Sequence, residues 1–198
     1  MTVRPLPCEV RVNSTATALR FDRSRFRDVL GRFCTGVTII SAVHEGEPVG
    51  FACQSFASLS LEPPLVSVAV AETSATGHRI ERAGAFCATV LRADQAELCR
   101  GFGRSGADKF AGVAWSPAEV TGSPRIGGGL AWVDCRIESV VPAGDHRIVV
   151  GRVVDLSVPE EGEDAGPLLF YRGSFLGPAP VGALAPARSV APVRRREV

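Results

Sequence analysis

Residues 50–70 read GFACQSFASLSLEPPLVSVAV, and this stretch says more about the fold than any other part of the chain. From Gln54 to Ser60, small hydroxyl residues are interleaved with apolar ones. That pattern suits an extended backbone whose amides and hydroxyls face a flat ligand with polar edges. Two prolines then end the run, because proline has no N–H and favours an extended residue before it. Periodicity alone also allows a surface strand with scattered serines.

Composition predicts one domain with a substantial core. The chain has 198 residues, of which 45% are hydrophobic, and a formal net charge of +1. This charge implies no general attraction to nucleic acid or to an anionic membrane. No segment has the roughly 20 consecutive apolar residues that cross a bilayer. The N-terminus lacks the pattern of a signal peptide, so we expect a cytoplasmic protein.

The cysteines predict buried thiols and no disulfide framework, because they are widely spaced and mostly flanked by apolar residues. No C-x-x-C pair occurs, and the three histidines are far apart in sequence, so we expect no metal site. The six cysteines are Cys8, Cys34, Cys53, Cys87, Cys99 and Cys135.

Hydrophobic patterns predict many strands and few short helices. A first helix opens at Asp22 or Ser24 and carries Phe26, Val29, Leu30 and Phe33 on one face. A second helix runs from Thr73 or Ser74 to about Gly84, a third covers 94–102, and residues 103–129 are mostly loop. Strands are expected at 37–43, from about 48 onward, and at 65–70, 86–91, 130–141, 146–158 and 168–171.

Residues 130–141 show the clearest alternation in the chain and predict a half-exposed strand. The turn at 142–145 pairs this strand with residues 146–158 as a hairpin. The apolar face carries Ala131, Val133, Cys135 and Ile137, and the polar face carries Asp134, Arg136 and Glu138.

Residues 101–106 read GFGRSG, which matches the dinucleotide-binding pattern G-x-G-x-x-G. In a Rossmann unit this pattern must follow a strand and open a helix. Here it follows a predicted helix and opens a loop. We therefore interpret these glycines as a helix stop and a mobile loop.

Several motifs resemble, in order, the flavin reductase family of split-barrel flavoproteins, the small reductase components of two-component monooxygenases. The family signature is matched by residues 50–65. The other matches are Gly31-Arg32-Phe33, Thr35-Gly36-Val37-Thr38, Phe86 to Leu91, Asp108-Lys109-Phe110, Gly144-Asp145-His146 and Leu168 to Gly173. The variant of residues 50–55 is most similar to actinobacterial-type reductases that serve steroid-degrading or antibiotic-biosynthetic hydroxylases.

The resemblance implies a mainly β fold, a split β-barrel of the FMN-binding, Greek-key type with short peripheral α-helices. The similar region spans residues 21–176. It leaves an N-terminal arm at 1–20 and a flexible C-terminal tail at 177–198. Members of the family are typically homodimers.

The implied activity is an NAD(P)H:flavin oxidoreductase. NADH, or NADPH, reduces FAD or FMN by hydride transfer from nicotinamide C4 to flavin N5. The free reduced flavin then passes to a separate monooxygenase. The sequence leaves the choices of flavin and of nicotinamide nucleotide open. The alternative is a non-enzymatic flavin-binding or electron-carrier protein of the same fold.

Site residues are also implied by the resemblance. His146 would contact NAD(P)H over the flavin ring, although Gly-Asp-His alone is an ordinary turn. Lys109, the only lysine, is either a surface charge or a contact at the flavin phosphate or the edge of the cofactor site. The implied cofactor-binding residues are Thr35, Val37, Thr38, Gln54, Ser55, Phe56, Ala57, Ser58, Ser60, Leu61, Phe86, Lys109, Phe110, Gly144, Asp145, His146, Tyr171 and Arg172.

Two positions depart from the family pattern. Gln54 stands where many members have asparagine, so it keeps the amide with one more methylene. Thr89 stands at a second asparagine position and lacks the amide. These changes leave the identity of the bound flavin open.

Overall fold

A computed structural model describes residues 20–104, 106, 108–159 and 166–178. The predicted arm and tail lie almost wholly outside these ranges. The helices are α1 (Arg23–Leu30), α2 (Ala75–Ala83) and α3 (Ala96–Gly103), with a 3-10 turn at Ala93–Gln95. The strands are β1 (Thr35–Gly36), β2 (Thr38–His44), β3 (Glu47–Cys53), β4 (Ala57–Leu61), β5 (Pro64–Ala71), β6 (Ala85–Val90), β7 (Trp115–Pro117), β8 (Pro124–Ile126), β9 (Ala131–Ala143), β10 (His146–Ser157), β11 (Leu169–Tyr171) and β12 (Ser174–Leu176).

Side-chain caps fix where the helices begin. The Asp22 carboxylate accepts the Arg25 N–H at 2.8 Å and starts α1. The Ser74 hydroxyl accepts the Gly77 N–H at 3.1 Å and starts α2. Each bond satisfies an N–H that the first helical turn leaves unpaired. Gly84 ends α2 in the left-handed conformation, at φ +71°. None of the described helices is both long and apolar enough to traverse a lipid bilayer.

Seven antiparallel strands form the main sheet in the order β3-β2-β6-β9-β10-β5-β4. The edge strands β3 and β4 are consecutive in sequence, and only residues 54–56 connect them. Four Cα steps span at most about 14 Å, whereas the edges of a flat seven-stranded sheet would lie about 29 Å apart. The sheet must therefore curl until its edges approach each other.

This curled sheet accounts for the split barrel. Among the described residues no hydrogen-bonded ladder joins β3 to β4. Short helices lie at the periphery, and strands dominate the described chain. The predicted mainly β fold is confirmed.

Strand β2 is buried on both faces. Successive side chains point to opposite sides of a sheet, and an apolar cluster covers each side of β2. Ile40 packs into one apolar cluster with Val68 and Phe86. Ile39 packs into a second cluster with Leu91 and Phe102. Phe102 comes from α3, so this helix covers the second face of the sheet.

The predicted hairpin between β9 and β10 is confirmed, with Gly144 and Asp145 as its two-residue turn. Gly144 adopts φ +69°, as the first residue of a type II′ turn requires. The prediction that Asp134 lies on an exposed face is wrong, because its exposure is only 3%. Thr121 in the segment before β8 donates to the Asp134 carboxylate and covers this end of the polar face.

Four of the predicted buried thiols are confirmed, and the fifth described cysteine, Cys34, is exposed. Burial raises the pKa of Cys87 and of Cys135 to about 12, and the nearby Asp134 charge adds to the effect. Cys8 lies outside the described residues. The glycines of the GFGRSG stretch begin inside α3, which ends at Gly103, so the predicted helix stop is confirmed.

Candidate functional site

Three surface depressions share some of their lining residues. The central pocket, of about 340 Å³, lies between the end of β3, the end of β5 and His146. The large groove, of about 660 Å³, lies between β3, the start of α2 and residues 102–104, 106 and 108–110. It shares Phe51, Ala52 and Ser74 with the central pocket. The helix pocket, of about 260 Å³, lies between α1, β1 and Phe170, and it shares Gln54 with the central pocket.

The central pocket brings together Gln54, Ser55 and His146, which were predicted from distant parts of the sequence. The Ser55 hydroxyl accepts the Ala69 N–H at 2.8 Å and donates to the Ala69 carbonyl at 3.2 Å. These two bonds fasten the β3–β4 connection to β5. Because β10 pairs with β5 from His146 onward, Gln54 and His146 are held in one pocket. The Ser55 hydroxyl therefore serves the fold.

His146 is held by its neighbour in the hairpin turn. Its Nδ1 lies 2.7 Å from Asp145 Oδ1, and its side chain is 46% exposed. This hydrogen bond is the main cause of the lowered pKa of the Asp145 carboxyl. Because a carboxylate oxygen only accepts, Nδ1 carries the proton in this pair, and Nε2 makes no hydrogen bond to the described residues. The Asp145 carbonyl accepts the Glu72 N–H at 3.0 Å, which ties the turn to the end of β5.

A half-buried polar cluster supports this turn, and the sequence analysis did not predict it. Arg147 Nη1 donates to Glu81 Oε2 at 2.8 Å and to His78 Nδ1 at 3.0 Å. Arg147 Nε lies 3.4 Å from Glu72 Oε2, without the alignment of a hydrogen bond. The cluster joins β10, α2 and the end of β5. The sequence indicates only one feature of this cluster: alternation along β10 puts Arg147 and His146 on opposite faces of the strand.

Thr35 brings an unsatisfied hydroxyl to the helix pocket. It pairs with Phe170 between β1 and β11, and both residues line the pocket with Gln54. The Thr35 Oγ1 atom is buried and has no hydrogen-bond partner among the described residues. A buried polar atom without a partner is costly. Thr35 lines the helix pocket, so a rotation about its Cα–Cβ bond would bring this hydroxyl to a polar ligand edge there.

Three other predicted residues have side chains in the core. Val37, Thr38 and Phe86 are at most 5% exposed. The Thr38 hydroxyl donates to the Cys53 carbonyl at 3.2 Å. The Phe86 ring fills the space left by Gly151, where a Cβ would lie 2.6 Å from Phe86 Cζ. As a correction to the implied ligand contact, the Phe86 side chain packs inside the protein and not in a pocket.

The remaining predicted residues are spread over the surface. Lys109 and Phe110 line the large groove. Arg172 occupies the exposed turn between β11 and β12, at φ +49°, and its guanidinium lies 3.8 Å from Asp28. Tyr171 ends β11 and is half-buried, Phe56 packs against the core, and Gly144 lies in the hairpin turn. The edge strand β4 carries Ala57, Ser58, Ser60 and Leu61.

The Thr89 departure has a structural explanation. Thr89 is fully buried, and its hydroxyl accepts the Ile126 N–H at 3.2 Å. It therefore fastens β8 to the main sheet. The described residues contain no group of three or more His, Cys, Asp or Glu side chains able to hold a metal ion.

Comparison with known proteins gives consistent matches. The family model described as a flavin reductase like domain matches residues 30–178. A Rhodococcus jostii protein named flavin-dependent monooxygenase, reductase subunit HsaB is 50% identical over 172 residues, which cover 87% of this chain and 86% of that protein.

Two solved structures have similar folds. Nitrilotriacetate monooxygenase component B from Mycobacterium thermoresistibile has a TM-score of 0.77 and 47% identity, covering 88% of this chain and 94% of the other. The Streptomyces globisporus NADH:FAD oxidoreductase SgcE6, in complex with NAD and FAD fragments, has a TM-score of 0.75 and 35% identity, covering 81% of this chain and 95% of the other.

Proposed function

The chain belongs to the family of flavin reductase like domains, and from this premise we propose that it oxidises NADH, reduces FAD or FMN, and supplies the reduced flavin to a separate monooxygenase. Relatives named as reductase subunits of flavin-dependent monooxygenases support this function, and so does one named NADH:FMN oxidoreductase. The similarity covers most of both chains, so it concerns the whole described fold.

One observation carries the proposed flavin site: the unpaired Thr35 hydroxyl. Thr35 lines a pocket that shares Gln54 with the pocket containing His146. The ring of a flavin is apolar on its faces and carries carbonyl and N–H groups at its edge. The Thr35 hydroxyl and the exposed Gln54 amide offer donors and acceptors that suit such an edge.

The bound flavin would supply the hydride-accepting chemistry itself. The residues of the chain bind and orient the two reactants, and holding them in contact lowers the entropic barrier to transfer. In this proposal His146 Nε2 accepts a hydrogen bond from the carboxamide of the nicotinamide. Asp145 fixes the imidazole ring through Nδ1, and Arg147 holds the strand that carries it.

The direct test is NADH oxidation by the purified protein with FAD, with FMN and without flavin. We expect the loss of NADH absorbance to depend on added flavin. A protein that binds flavin and turns yellow, yet leaves NADH unoxidised, would contradict the reductase and support the flavin-carrier alternative. Adding a monooxygenase that is served by a similar reductase subunit tests the transfer of reduced flavin.

We also propose that a second copy of the chain covers α1 and β4. Helix α1 has no buried residue, although an amphipathic helix normally packs its apolar face. Phe33, predicted on the apolar face of the first helix, lies three residues beyond the end of α1 and is 75% exposed. Leu61 on the edge strand β4 is 91% exposed. Exposed apolar groups of this size are typical of an interface.

Light scattering after size-exclusion chromatography tests this association. We expect a dimer for the wild type and a shift towards monomer for Phe33→Glu and Leu61→Glu. Leu156→Glu serves as the control because Leu156 is an exposed leucine on β10, outside α1 and β4. A monomeric wild type would contradict the proposal.

A further inference from the structure

His78 on α2 contacts the residue that fastens the turn carrying His146. Its Nε2 lies 2.9 Å from the Glu72 carbonyl oxygen. Glu72 directly follows the last residue of β5, and its own N–H donates to the Asp145 carbonyl at 3.0 Å. The backbone of Glu72 thereby joins helix α2 to the hairpin turn.

The contacts of His78 determine which of its ring nitrogens carries the proton. Arg147 Nη1 lies 3.0 Å from Nδ1, and a guanidinium can only donate. Nδ1 must therefore accept, and the proton lies on Nε2, where the Glu72 carbonyl accepts it. With its proton on Nδ1, the ring would lose both bonds and keep only a contact of 3.5 Å between Nε2 and Arg147 Nη2. The surroundings of His78 thus select its neutral Nε2–H form.

These bonds belong to an unbroken chain that ends at the ring of His146. The Arg147 guanidinium donates to His78, and His78 donates to the Glu72 carbonyl. The Glu72 N–H donates to the Asp145 carbonyl, and the Asp145 carboxylate accepts the Nδ1–H of His146. The Arg147 side chain is 12% exposed, whereas that of His146 is 46% exposed. The buried end of the chain is therefore the end that can hold the other in place.

We propose that His78 is a positioning residue for His146. Its neutral imidazole holds Glu72 against the hairpin turn and so fixes the ring that contacts the nicotinamide. His78 lines none of the three depressions, so it acts through Glu72 and not on a reactant. This inference rests on the proposed function, in which His146 Nε2 accepts a hydrogen bond from the nicotinamide carboxamide.

The same contacts make this support sensitive to a second proton on His78. A proton on Nδ1 replaces an acceptor with a donor in front of Arg147 and brings two positive charges together. Glu81 lies one helical turn further along α2, and its Oε1 atom is buried without a partner among the described residues. A charged imidazole therefore has a carboxylate oxygen to turn towards, and Glu72 loses its bond to the ring.

Few other charges face this pair of side chains. In the described part of the chain, the carboxylates within ion-pairing distance of Arg147 are those of Glu72 and Glu81. Strands β2, β3 and β6 also pack against α2, yet none of their described side chains forms an ion pair or hydrogen bond with His78 or Arg147. A change in the charge of His78 is therefore felt mainly within the chain of bonds.

Imidazole NMR of protein labelled with nitrogen-15 tests the chain without any cofactor. The sequence contains three histidines, so single His→Gln variants assign every ring signal. Near neutral pH we expect the Nε2–H form for His78 and the Nδ1–H form for His146. In His78→Ala we expect His146 to show a mixture of both forms. The proposal would be overturned by an Nδ1–H form at His78, or by His146 signals that His78→Ala leaves unchanged.

Steady-state kinetics test the consequence for NADH. We expect His78→Ala to raise the KM for NADH about fivefold and to leave kcat within about twofold, because one supporting hydrogen bond is lost outside the reacting groups. His78→Gln should partly restore the KM, since an amide can donate to the Glu72 carbonyl and accept from Arg147. Arg82→Gln, at an exposed position of the same helix, should behave as the wild type. A folded His78→Ala protein with the wild-type KM would refute the positioning role.

The pH profile tests the role of the second proton. Histidine side chains change charge over about pH 5 to 8, and His146 titrates in both the wild type and His78→Gln. The difference between their profiles therefore reports His78. We expect the KM for NADH to rise more steeply on acidification in the wild type than in His78→Gln. Parallel profiles would refute the sensitivity to His78 protonation, and this comparison stands even if His78→Ala fails to fold.

The positioning role and the reductase fail separately. A wild-type protein that reduces no flavin refutes the proposed function, whereas the NMR signals still decide whether His78 controls the ring of His146. A reductase whose KM for NADH responds to His146→Ala but not to folded His78→Ala refutes the positioning role alone. Thermal unfolding of each variant checks that it is folded.

Discussion

Two polar groups on this fold have opposite surroundings. The Asp134 carboxylate is almost fully buried, and it accepts hydrogen bonds from the Thr121 N–H at 3.0 Å and from the Thr121 hydroxyl. The Thr121 hydroxyl also contacts Ser123. The Thr35 hydroxyl is buried as well, yet it has no partner among the described residues. Thr35 lines the helix pocket, whereas the Asp134 carboxylate is bonded within its own chain.

The difference distinguishes polar groups that stabilise the fold from polar groups that bind a ligand. Burying a polar group costs stability unless a hydrogen bond compensates. Where the chain supplies that bond, as at Asp134, removing the group should damage the fold. Where the chain supplies none, as at Thr35, removal should spare the fold and damage binding. His146 lies between these cases, because Asp145 satisfies one ring nitrogen and the other is left for a ligand.

The largest effect should come from the satisfied group. We expect Asp134→Ala to lower the free energy of unfolding by about 3 kcal/mol, because it leaves the Thr121 N–H unpaired, removes the carboxylate bond of the Thr121 hydroxyl and opens a cavity. Urea denaturation of purified variants measures this. Glu119→Ala, an exposed carboxylate in the same loop, should change stability by less than about 0.5 kcal/mol. Equal losses in both variants would contradict the structural role of Asp134.

The His146 variant should show the reverse behaviour. We expect His146→Ala to reduce kcat/KM for NADH by about tenfold to a hundredfold, because a positioning contact at the nicotinamide is lost. Stability should hardly change, since the imidazole is half-exposed. Steady-state kinetics with a fixed flavin concentration measures the effect. Glu138→Ala, on the same hairpin, should retain wild-type kinetics, and an equally slow Glu138 variant would show that the whole hairpin had shifted.

The polar cluster around Arg147 supports the strand that carries His146, so it links structural polar groups to a ligand-binding one. Arg147 and Glu81 are both mostly buried, and their hydrogen bond is 2.8 Å long. We expect a double-mutant cycle with Arg147→Gln and Glu81→Gln to give a coupling of about 1 to 2 kcal/mol in stability. If the cluster also positions His146, Arg147→Gln should raise the KM for NADH and Arg147→Lys should partly restore it. An unchanged KM would restrict Arg147 to a structural role.

Much of the fold could be predicted because its strands have strong local signals. Residues 65–70 and 146–158 are rich in β-branched residues, and Gly144 marks the turn between β9 and β10. The short strands β1, β7, β8 and β12 were missed, because two or three residues carry little periodicity. Asp134 was misassigned, because alternation shows which side a residue faces but not what covers that side.

The site was less accessible to sequence reasoning. Gln54 and His146 line one pocket only because the sheet curls and β10 pairs with β5, and no local pattern encodes that proximity. Their assignment came from resemblance to a family. Resemblance also proposed Phe86, whose side chain the structure places in the core. Whether Arg79 and Arg104, which line the large groove, have carboxylate partners can be read only from the folded chain.

The smallest effect is expected for Thr35, and it tests most directly whether Thr35 and Asp134 have different roles. Thr35→Val keeps the shape of the side chain and removes the unpaired hydroxyl. We expect the free energy of unfolding to stay the same or rise by up to about 1 kcal/mol, because a buried polar atom without a partner is removed. Flavin affinity should fall about fivefold to tenfold if that hydroxyl bonds to the flavin.

Fluorescence titration with FMN and urea denaturation measure these two quantities on the same protein. Thr121→Val is the matched control, because the same substitution there breaks the bonds to Asp134. It should lower stability and leave the affinity of the folded protein for flavin unchanged. Opposite signs in the two variants would establish that the Thr35 hydroxyl serves ligand binding and the Thr121 hydroxyl serves the fold. A Thr35→Val protein that is destabilised and binds flavin normally would show that Thr35 supports the fold instead.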